Sequence, residues 1–363
     1  MKRVYVYAYL AGNLGDDLFV RLLCQRYPKT RFYILADPIY KERYRDLSNC
    51  RVCSPGDRRV RFLEKWLGRL GICDGFRKLL VKYSAAVIHI GGSVFVQHQD
   101  DWSDLFHTDA YLAEHSRRLY VIGANFGPYV NPDYYKQYRK LFEKYRGICF
   151  RDRYSWELFR ELPQVSWAPD VIFQLKPLAA EKKKKVLIAP IELEERKGKY
   201  DISGYEKAYL DFHIRMIRGL LARGYSIAMA SFCQFQKDDA MMQKIMDGLA
   251  AGERRAVVCM AYQKDMAPIL QCFAESEAVL GTRFHSIVLG WLHRCRVLPV
   301  IYDQKTEKTL EDLGPGLSLK LEELESEDAD KLLDAWLGME PMDIESLQKE
   351  AERQFQYTDG FLK

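Results

Sequence analysis

The chain has 363 residues, of which 48% are hydrophobic and 13% aromatic, with 55 lysines and arginines against 50 aspartates and glutamates. This composition is that of a globular protein and excludes disordered, collagen-like and coiled-coil classes. At roughly 150 residues per domain, the length predicts two domains. The net charge of +5 is mild for a chain of 42.4 kDa, so no nucleic-acid partner is predicted.

The nine cysteines are dispersed along the chain, and their number is odd. Cys50 and Cys53 form a C-x-x-C pair, but the sequence has no second C-x-x-C and no H-x-x-x-H to complete a zinc site. We therefore predict a reduced, cytoplasmic location. The sequence has no aspartate-rich or histidine cluster either, so we predict no metal site, and we also predict no cofactor. Metal or redox chemistry at Cys50 and Cys53 is the alternative.

The apolar runs of the sequence are short. None approaches the roughly 18 consecutive apolar residues that suggest a transmembrane helix. The first run, residues 4–10, is rich in tyrosine and leads directly into a glycine turn. We interpret it as a buried strand and not as a signal peptide.

Short apolar runs alternate with longer amphipathic stretches along the whole chain. In the first half, strands are predicted at residues 4–10, 31–36, 85–90, 119–123, 148–150 and 165–168, and helices at 16–27, 61–83, 132–145 and 154–162. In the second half, strands are predicted at residues 186–190, 226–232, 256–259, 278–281 and 297–301, and helices at 205–222, 238–249, 265–275 and 284–293. This alternation indicates βαβ units and predicts an α/β fold of two doubly wound, Rossmann-like domains.

A proline and a run of four lysines within residues 176–185 have the composition of an exposed linker. We predict an N-terminal domain over residues 1–176, a C-terminal domain over 186–340, and a tail over 341–363 whose helix packs back on the N-terminal domain. The lysines are predicted to be solvated, with an anionic partner as the alternative. Two such domains usually bind ligand beyond the carboxyl ends of their strands.

Three glycine-bearing turns follow predicted strands and are candidate ligand loops. Their candidate binding residues are Gly12, Asn13, Gly15, Asp16, Gly91, Gly92, Ser93 and Asn125. Glycine lets the backbone approach a ligand closely, and a following helix offers free N–H groups to an anion. The alternative is an ordinary tight turn, with Asp16 or Asp17 as a helix cap. No G-x-G-x-x-G pattern is present, so the dinucleotide fingerprint is absent.

Two further turns carry arginine. Arg151 follows a predicted strand, where its planar guanidinium suits the bidentate capture of carboxylate or phosphate. Asp170 closes the last strand of the same half. Thr282, Arg283 and His285 lie between a strand and an apolar helix, where an anion would be stabilised. A histidine there can move protons near neutral pH, although a core position is the alternative.

These motifs, in this order, resemble those of the polysaccharide pyruvyl transferase family. The matching segments are residues 12–16, 91–93, 123–128, 151–155, 168–170 and 282–285, followed by Tyr302, Asp303 and Lys305. The resemblance runs from about residue 4 to residue 313. It implies a GT-B-like fold of two Rossmann-like domains that face a central cleft. It also implies transfer of pyruvate from phosphoenolpyruvate to two hydroxyls of a sugar, which forms a cyclic ketal and releases phosphate.

The resemblance also suggests roles for single residues. In the family, the positions matching Arg151, Arg283 and His285 are associated with phosphoenolpyruvate. We expect His285 to act as general acid and base, Arg283 to stabilise the departing phosphate, and Arg151 to hold a donor anion. Lys305 is a candidate donor contact, or else an exposed lysine. At Ser93 and in the segment 124–126, this sequence has other residues where the family usually has glycine. This difference bears on the identity of the acceptor more than on that of the donor.

A basic amphipathic stretch, residues 58–70, places Leu63, Trp66, Leu67 and Leu70 on one helical stripe. We predict that this stripe packs on the sheet. The alternative is a peripheral contact with the inner face of a membrane that carries a lipid-linked saccharide.

The predicted function is pyruvyl transfer to a sugar of a cell-surface polysaccharide or its precursor. One alternative is a nucleotide-sugar-dependent glycosyltransferase, because the same fold serves that chemistry. Against it, the second half shows no obvious acidic pair for a ribose. The other alternative is a catalytically silent member that binds a glycan.

Overall fold

The structure, a computed structural model, describes residues 1–97, 99–194, 196, 201–314 and 316–363. The chain forms two compact units. Unit 1 comprises Met1–Leu10, Asp16–Val171 and Glu350–Lys363, and unit 2 comprises Ala11–Gly15 and Ile172–Lys349.

Unit 1 is built on one parallel sheet. Its strands are β1 (Arg3–Ala8), β2 (Arg31–Leu35), β3 (Cys50–Cys53), β4 (Ala86–Ile90), β5 (Leu119–Ala124), β6 (Gly147–Phe150) and β7 (Val165–Trp167). They lie in the order β3-β2-β1-β4-β5-β6-β7, and every neighbouring pair is parallel. Strands β4, β5 and β6 are buried along their whole length, as expected for a sheet covered on both faces. The strand order reverses between β1 and β4, which is where open α/β sheets bind ligands.

Helices connect these strands because parallel strands need long crossovers. They are α1 (Leu14–Arg26), α2 (Ile39–Arg43), α3 (Arg58–Gly68), α4 (Gly75–Tyr83), α5 (Ser103–His115), α6 (Pro132–Phe142) and α7 (Arg153–Phe159). Aromatic rings fill the core that α6 and α7 form with the sheet. The ring of Phe126 lies 4.8 Å from that of Phe159 and 5.7 Å from that of Tyr138, centroid to centroid. Both contacts are edge-to-face, the arrangement favoured by the ring quadrupoles.

Unit 2 repeats this design with a six-stranded sheet. Its strands are β8 (Lys183–Ala189), β9 (Ser226–Ser231), β10 (Val257–Ala261), β11 (Ser276–Gly281), β12 (Arg296–Ile301) and β13 (Leu319–Lys320). Their order is β10-β9-β8-β11-β12-β13, again all parallel. The helices are α8 (Glu206–Ala222), α9 (Asp238–Asp247), α10 (Ala251–Arg255), α11 (Ala267–Glu275), α12 (Phe284–Leu292), α13 (Gln304–Leu313) and α14 (Ala329–Leu337). Here the order reverses between β8 and β11.

The C-terminal residues complete unit 1. The chain continues through α15 (Glu345–Ala351) and α16 (Gln356–Leu362). Between them, buried Gln354 accepts a hydrogen bond from the Gly123 amide (2.9 Å) and donates to the carbonyls of Phe150 and Ala168 (3.0 and 2.6 Å). The amide of Gln354 therefore satisfies backbone groups at the carboxyl ends of β5 and β6.

Three predictions of local structure are wrong. The single helix expected at residues 61–83 is two helices, α3 and α4, because the chain takes positive φ at Gly71 (74°) and Asp74 (52°). The lysine run expected in an exposed linker begins β8, where Lys185 contacts Glu275 at 2.7 Å. The C-x-x-C pair forms the edge strand β3, which the sequence analysis missed. Residues three apart in a strand point to opposite faces, so the two thiols do not converge.

None of the nine cysteines, all of which lie in the described residues, forms a disulfide. Within the described residues, no helix combines the length and the apolar composition needed to cross a bilayer.

Candidate active site

In unit 1, Arg151 lies at the centre of a polar cluster at the carboxyl edge of the sheet. It directly follows β6, is only 3% exposed, and donates from Nη1 to Asp170 (3.1 Å) and from Nη2 to Asn125 (2.9 Å). The Oδ1 atom of Asn125 also accepts from Ser93 at 3.4 Å. These predicted site residues follow β4, β5, β6 and β7, and the parallel sheet brings them together. We call them the Arg151 cluster.

The glycine turn after β4 lets Arg151 approach the backbone. A Cβ atom at Gly92 would lie 2.5 Å from Nη1 of Arg151, well inside van der Waals contact. The Gly92 carbonyl also accepts from the amide of Asn125 at 2.8 Å. Gly91, with a φ of 148°, adopts backbone geometry that favours glycine. This turn is therefore part of the wall against which the guanidinium lies.

In unit 2, Arg283 is held by a carboxylate that the sequence analysis did not assign. Asp238 is fully buried at the start of α9, and its Oδ2 accepts from Nε of Arg283 at 2.9 Å, while its Oδ1 accepts from Nη2. The same carboxylate accepts from the amides of Phe232 and Cys233. Burial opposes the charge of Arg283, but Asp238 outweighs burial, and the pKa of Arg283 is raised above its ordinary value.

Thr282 supports the backbone beside this pair. Its hydroxyl lies 2.7 Å from that of Tyr209, which in turn accepts from the amide of Ile191. Burial raises the pKa of Tyr209, so its phenol stays protonated, and either hydroxyl can be the donor in this contact. Thr282 therefore stabilises the turn after β11 through this hydrogen bond.

His285 lies in the first turn of α12 and is 8% exposed. A Cβ atom at Gly15 would lie 1.7 Å from its Nδ1 atom, so only glycine fits at that position. The segment Ala11–Gly15 is joined to unit 2 by a hydrogen bond from the Leu14 amide to the Phe232 carbonyl (3.0 Å). These contacts place the segment in unit 2, although we predicted one domain over residues 1–176.

The segment also starts α1. The Oδ1 atom of Asn13 accepts from the Gly15 amide at 2.9 Å, as an N-cap residue does. The alternative that Asp16 or Asp17 caps this helix is wrong, because both lie inside its first turn. Asp17 is instead buried against Arg43, at 2.9 Å.

One acidic group has the spacing of a metal site. The carboxylates of Glu192, Glu194 and Glu206 lie within 4.8 Å of one another. However, Nζ of Lys244 donates to all three, at 3.1, 2.9 and 2.6 Å. A lysine ammonium thus occupies the space between the three carboxylates and offsets one of their charges, so the cluster does not fit a resident cation.

A model of the family described as polysaccharide pyruvyl transferase matches residues 13–304. The chain belongs to the polysaccharide pyruvyl transferase family. The Arg151 cluster, Arg283 with Asp238, and His285 lie inside the matched range. Gly12 and Lys305 lie just outside it. Gly12 takes a positive φ of 68°, and the side chain of Lys305 lies outside the described part of the structure. No curated protein matches the sequence closely enough to indicate a nearer relative.

Solved structures similar to this pyruvyl transferase family member include an epimerase and a protein solved with UDP and glucose. UDP-GlcNAc 2-epimerase from Methanocaldococcus jannaschii has a TM-score of 0.61 and 11% identity, over 99% of this chain and 100% of that one. HepE from Anabaena, in complex with UDP and glucose, has a TM-score of 0.55 and 13% identity, over 99% and 94%. At this identity the likeness shows the fold alone. The predicted GT-B-like α/β fold with Rossmann-like units is confirmed.

Both arginines of this family member could be predicted from the sequence, as could Asn125 and Asp170, the partners of Arg151, but the partners of Arg283 could not. Asp238 lies 45 positions before Arg283 in the sequence. As the first residue of a predicted helix, it is indistinguishable from an ordinary helix-starting acid. Gln236, which accepts from Nη1 of Arg283, gives no signal in the sequence either.

The buried pair predicts a specific stability pattern. We expect Asp238→Asn to destabilise the protein by about 3–5 kcal/mol, because the change leaves the Arg283 charge buried without a carboxylate. The double variant Asp238→Asn/Arg283→Gln should recover part of this loss, since it removes the unbalanced charge. Urea unfolding of the full chain measures both.

Asp239→Asn is the matched control, because Asp239 lies in the same helical turn and is exposed. The charge-balance interpretation would be contradicted if Asp238→Asn were as stable as wild type. It would also be contradicted if the stability losses of the two single changes simply added in the double variant.

Proposed function

We propose that this protein transfers pyruvate from phosphoenolpyruvate to two hydroxyls of one sugar, in a cell-surface polysaccharide or its precursor, and forms a cyclic ketal. The observation that carries the proposal is the turn after β11, in a chain of this family. There, Arg283 is fixed in a bidentate ion pair, and His285 lies two residues further, in the first turn of α12.

The reaction needs a proton donor and a site for anions. Protonation of the methylene carbon of phosphoenolpyruvate gives an oxocarbenium ion, which the first sugar hydroxyl attacks. Loss of phosphate gives a second oxocarbenium ion, which the second hydroxyl attacks. One hydroxyl proton ends on the new methyl group and the other on phosphate. The exchange balances without an oxidant, a reductant or a metal, so we propose no cofactor.

His285 is the residue we propose for proton transfer. Its Nδ1 atom lies against Gly15, so Nε2 is the ring nitrogen remote from the backbone of that segment. An imidazole can both give and take a proton, as the two attacks require. Its position at a helix N-terminus adds a favourable potential for the anionic donor.

Arg151 is proposed to hold a donor anion, and the rest of the Arg151 cluster to orient its guanidinium. Asp170 and Asn125 fix the two terminal nitrogens, which leaves the planar group in one orientation. Ser93, Gly91 and Gly92 border the same edge of unit 1 and are proposed to contact substrate. Asn13, Gly15, Asp16 and Thr282 remain proposed site residues of the turns that precede α1 and α12.

The proposal predicts that the protein binds phosphoenolpyruvate and that Arg283→Gln weakens this binding by about 10- to 100-fold, because a charged hydrogen-bond donor is lost. Isothermal titration calorimetry with phosphoenolpyruvate, beside a panel of nucleotide sugars, measures this. Arg255→Gln is the control, since Arg255 is exposed just before the amino end of β10.

Binding of a nucleotide sugar in place of phosphoenolpyruvate would instead favour a glycosyltransferase. That alternative is kept because HepE, of the same fold, is solved with UDP and glucose. Binding of neither ligand would favour a silent, glycan-binding member.

His285→Gln tests the catalytic role. We expect phosphoenolpyruvate to bind normally while phosphate release, measured with a panel of glycosides as acceptors, falls between about 100- and 10,000-fold, the usual loss of a general acid or base. His107→Gln, at an exposed position of α5, should keep full turnover. Near-normal turnover of His285→Gln would remove this residue from the mechanism.

We also propose that α3 makes a peripheral contact with an anionic membrane surface. The predicted stripe divides in the structure. Leu67 is buried and lies against Gly75 at the start of α4. Leu63 is half-buried. Trp66 and Leu70 are instead exposed, at 53% and 61%, so the prediction that the whole stripe packs on the sheet is wrong; Phe62, outside the predicted stripe, is exposed at 74%.

Charge complementarity favours a membrane as the partner of this exposed ridge. The basic residues of the segment are Arg58, Arg59, Arg61, Lys65 and Arg69. Its one acid, Glu64, is engaged by the amides of Gly75 and Phe76. An apolar ridge within a basic helix is typical of helices that lie in the interface of anionic bilayers, where each basic residue contributes about 1 kcal/mol.

Vesicle co-sedimentation tests this contact. We expect binding to vesicles of phosphatidylcholine with phosphatidylglycerol, little binding to phosphatidylcholine alone, and release by salt. Trp66→Ser should reduce binding, whereas Val258→Ser, at a 61% exposed position of β10, should not. Equal sedimentation with neutral and anionic vesicles, or none with either, would end the hypothesis.

A further inference from the structure

We propose that Arg196 binds the phosphate group of the donor beside Arg283, at the carboxyl edge of the unit 2 sheet. This inference rests on the proposed function and adds a binding residue to it. It starts from the charge balance of the Arg283 cluster, which we define as Arg283, Asp238 and Gln236.

Arg283 alone supplies little net attraction for an anion. Its charge is balanced by Asp238, which accepts from two of its nitrogens. A bidentate carboxylate holds the guanidinium in place but also cancels its field at a distance. A site for phosphoenolpyruvate, with one carboxylate and one phosphate, needs a further positive charge.

Arg196 provides that charge at the same edge. It follows β8, and β8 and β11 are the neighbouring strands between which the strand order of unit 2 reverses. Its Nη2 atom donates to Oε1 of Gln236 at 3.3 Å, and the same oxygen accepts from Nη1 of Arg283. One amide oxygen therefore joins the two guanidinium groups.

The contacts of Arg196 in the described part of the chain are with neutral groups. Its Nε donates to the carbonyl of Glu192 at 2.8 Å, and its guanidinium lies 5.0 Å from the ring centroid of Tyr302. Among the described residues, Arg283 alone of the two arginines hydrogen-bonds a carboxylate, so the two arginines together with Asp238 keep one net positive charge. Arg196 is also near enough to Asp238 to lower the pKa of that carboxyl, although burial, the larger effect, raises it overall.

The described residues that precede Arg196 are anchored through Glu192. Glu192, whose carbonyl holds Nε of Arg196, is 3% exposed and ion-paired to Lys244 of α9. Its Oε1 also accepts from the amides of Leu193 and Glu194. The Lys244 ion pairs, which exclude a metal from this acidic cluster, therefore fix the backbone from which Arg196 extends.

Phosphate is the ligand group that suits this arrangement. Two guanidinium groups that share one neutral acceptor repel each other, and an anionic oxygen between them would be stabilised more strongly than an amide oxygen. A phosphate has several such oxygens, so it can contact both groups. Tyr302 makes a cation–π contact with Arg196 and lies near enough to Arg283 to contribute to the raised pKa of that arginine.

The test is calorimetric titration of wild type, Arg196→Gln and Arg196→Lys with three ligands: phosphoenolpyruvate, inorganic phosphate and pyruvate. We expect Arg196→Gln to weaken the binding of phosphoenolpyruvate and of phosphate by about 10- to 100-fold and to leave the affinity for pyruvate unchanged. Arg196→Lys should lose less, because it keeps the charge but not the planar fork. Arg255→Gln should match wild type, and thermal unfolding checks that all variants are folded.

The outcomes separate this inference from the proposed function. If Arg196→Gln binds phosphoenolpyruvate like wild type while Arg283→Gln does not, the role of Arg196 is overturned and the donor stands. If Arg196→Gln weakens the binding of pyruvate but not that of phosphate, the proposal that Arg196 binds the phosphate group is overturned. If wild type binds none of the three ligands, the donor itself and this inference both fall.

Discussion

In each unit every strand runs in the same direction, and this constraint decides where the chemistry can lie. Parallel pairing puts all carboxyl ends of a sheet at one edge, so residues far apart in sequence meet there once the strand order is set. In unit 1, Asn125, Arg151 and Asp170 follow β5, β6 and β7 and form one hydrogen-bonded cluster. In unit 2, Arg196 and Arg283 follow the neighbouring strands β8 and β11 and share Gln236.

Burial of arginine imposes a second constraint. A guanidinium removed from water needs a partner charge, and each of the two clusters supplies one, Asp170 for Arg151 and Asp238 for Arg283. These carboxylates hold the arginines in place but reduce the electrostatic attraction that each arginine exerts on any anion. The affinity of such a site for an anion therefore depends on a further cationic side chain whose charge no carboxylate balances. This separation of orienting and attracting charges motivates the role proposed for Arg196.

Much of the fold could be predicted from the sequence, because the periodicity of apolar residues reports which segments are buried. Most strands of the described structure, such as β4 and β11, lie within about two residues of their predicted positions. The misses have local causes. The strand β3 is short and only partly buried at an edge, so its apolar signal is weak. The lysines that begin β8 have the composition of a linker, and only pairing with β9 and β11 makes them a strand.

By itself, the sequence determined the alternation of strands and helices and the turns that follow the strands. It also identified Arg151, Arg283 and His285 as candidates for binding and proton transfer. Their order along the chain carries that information because each is placed by its own strand end. Only the tertiary structure decided the partners, namely Asp238 and Gln236 for Arg283 and Gly15 for His285. It also decided which face of α3 stays exposed. Contacts between residues distant in sequence depend on strand order and helix packing, which local periodicity does not encode.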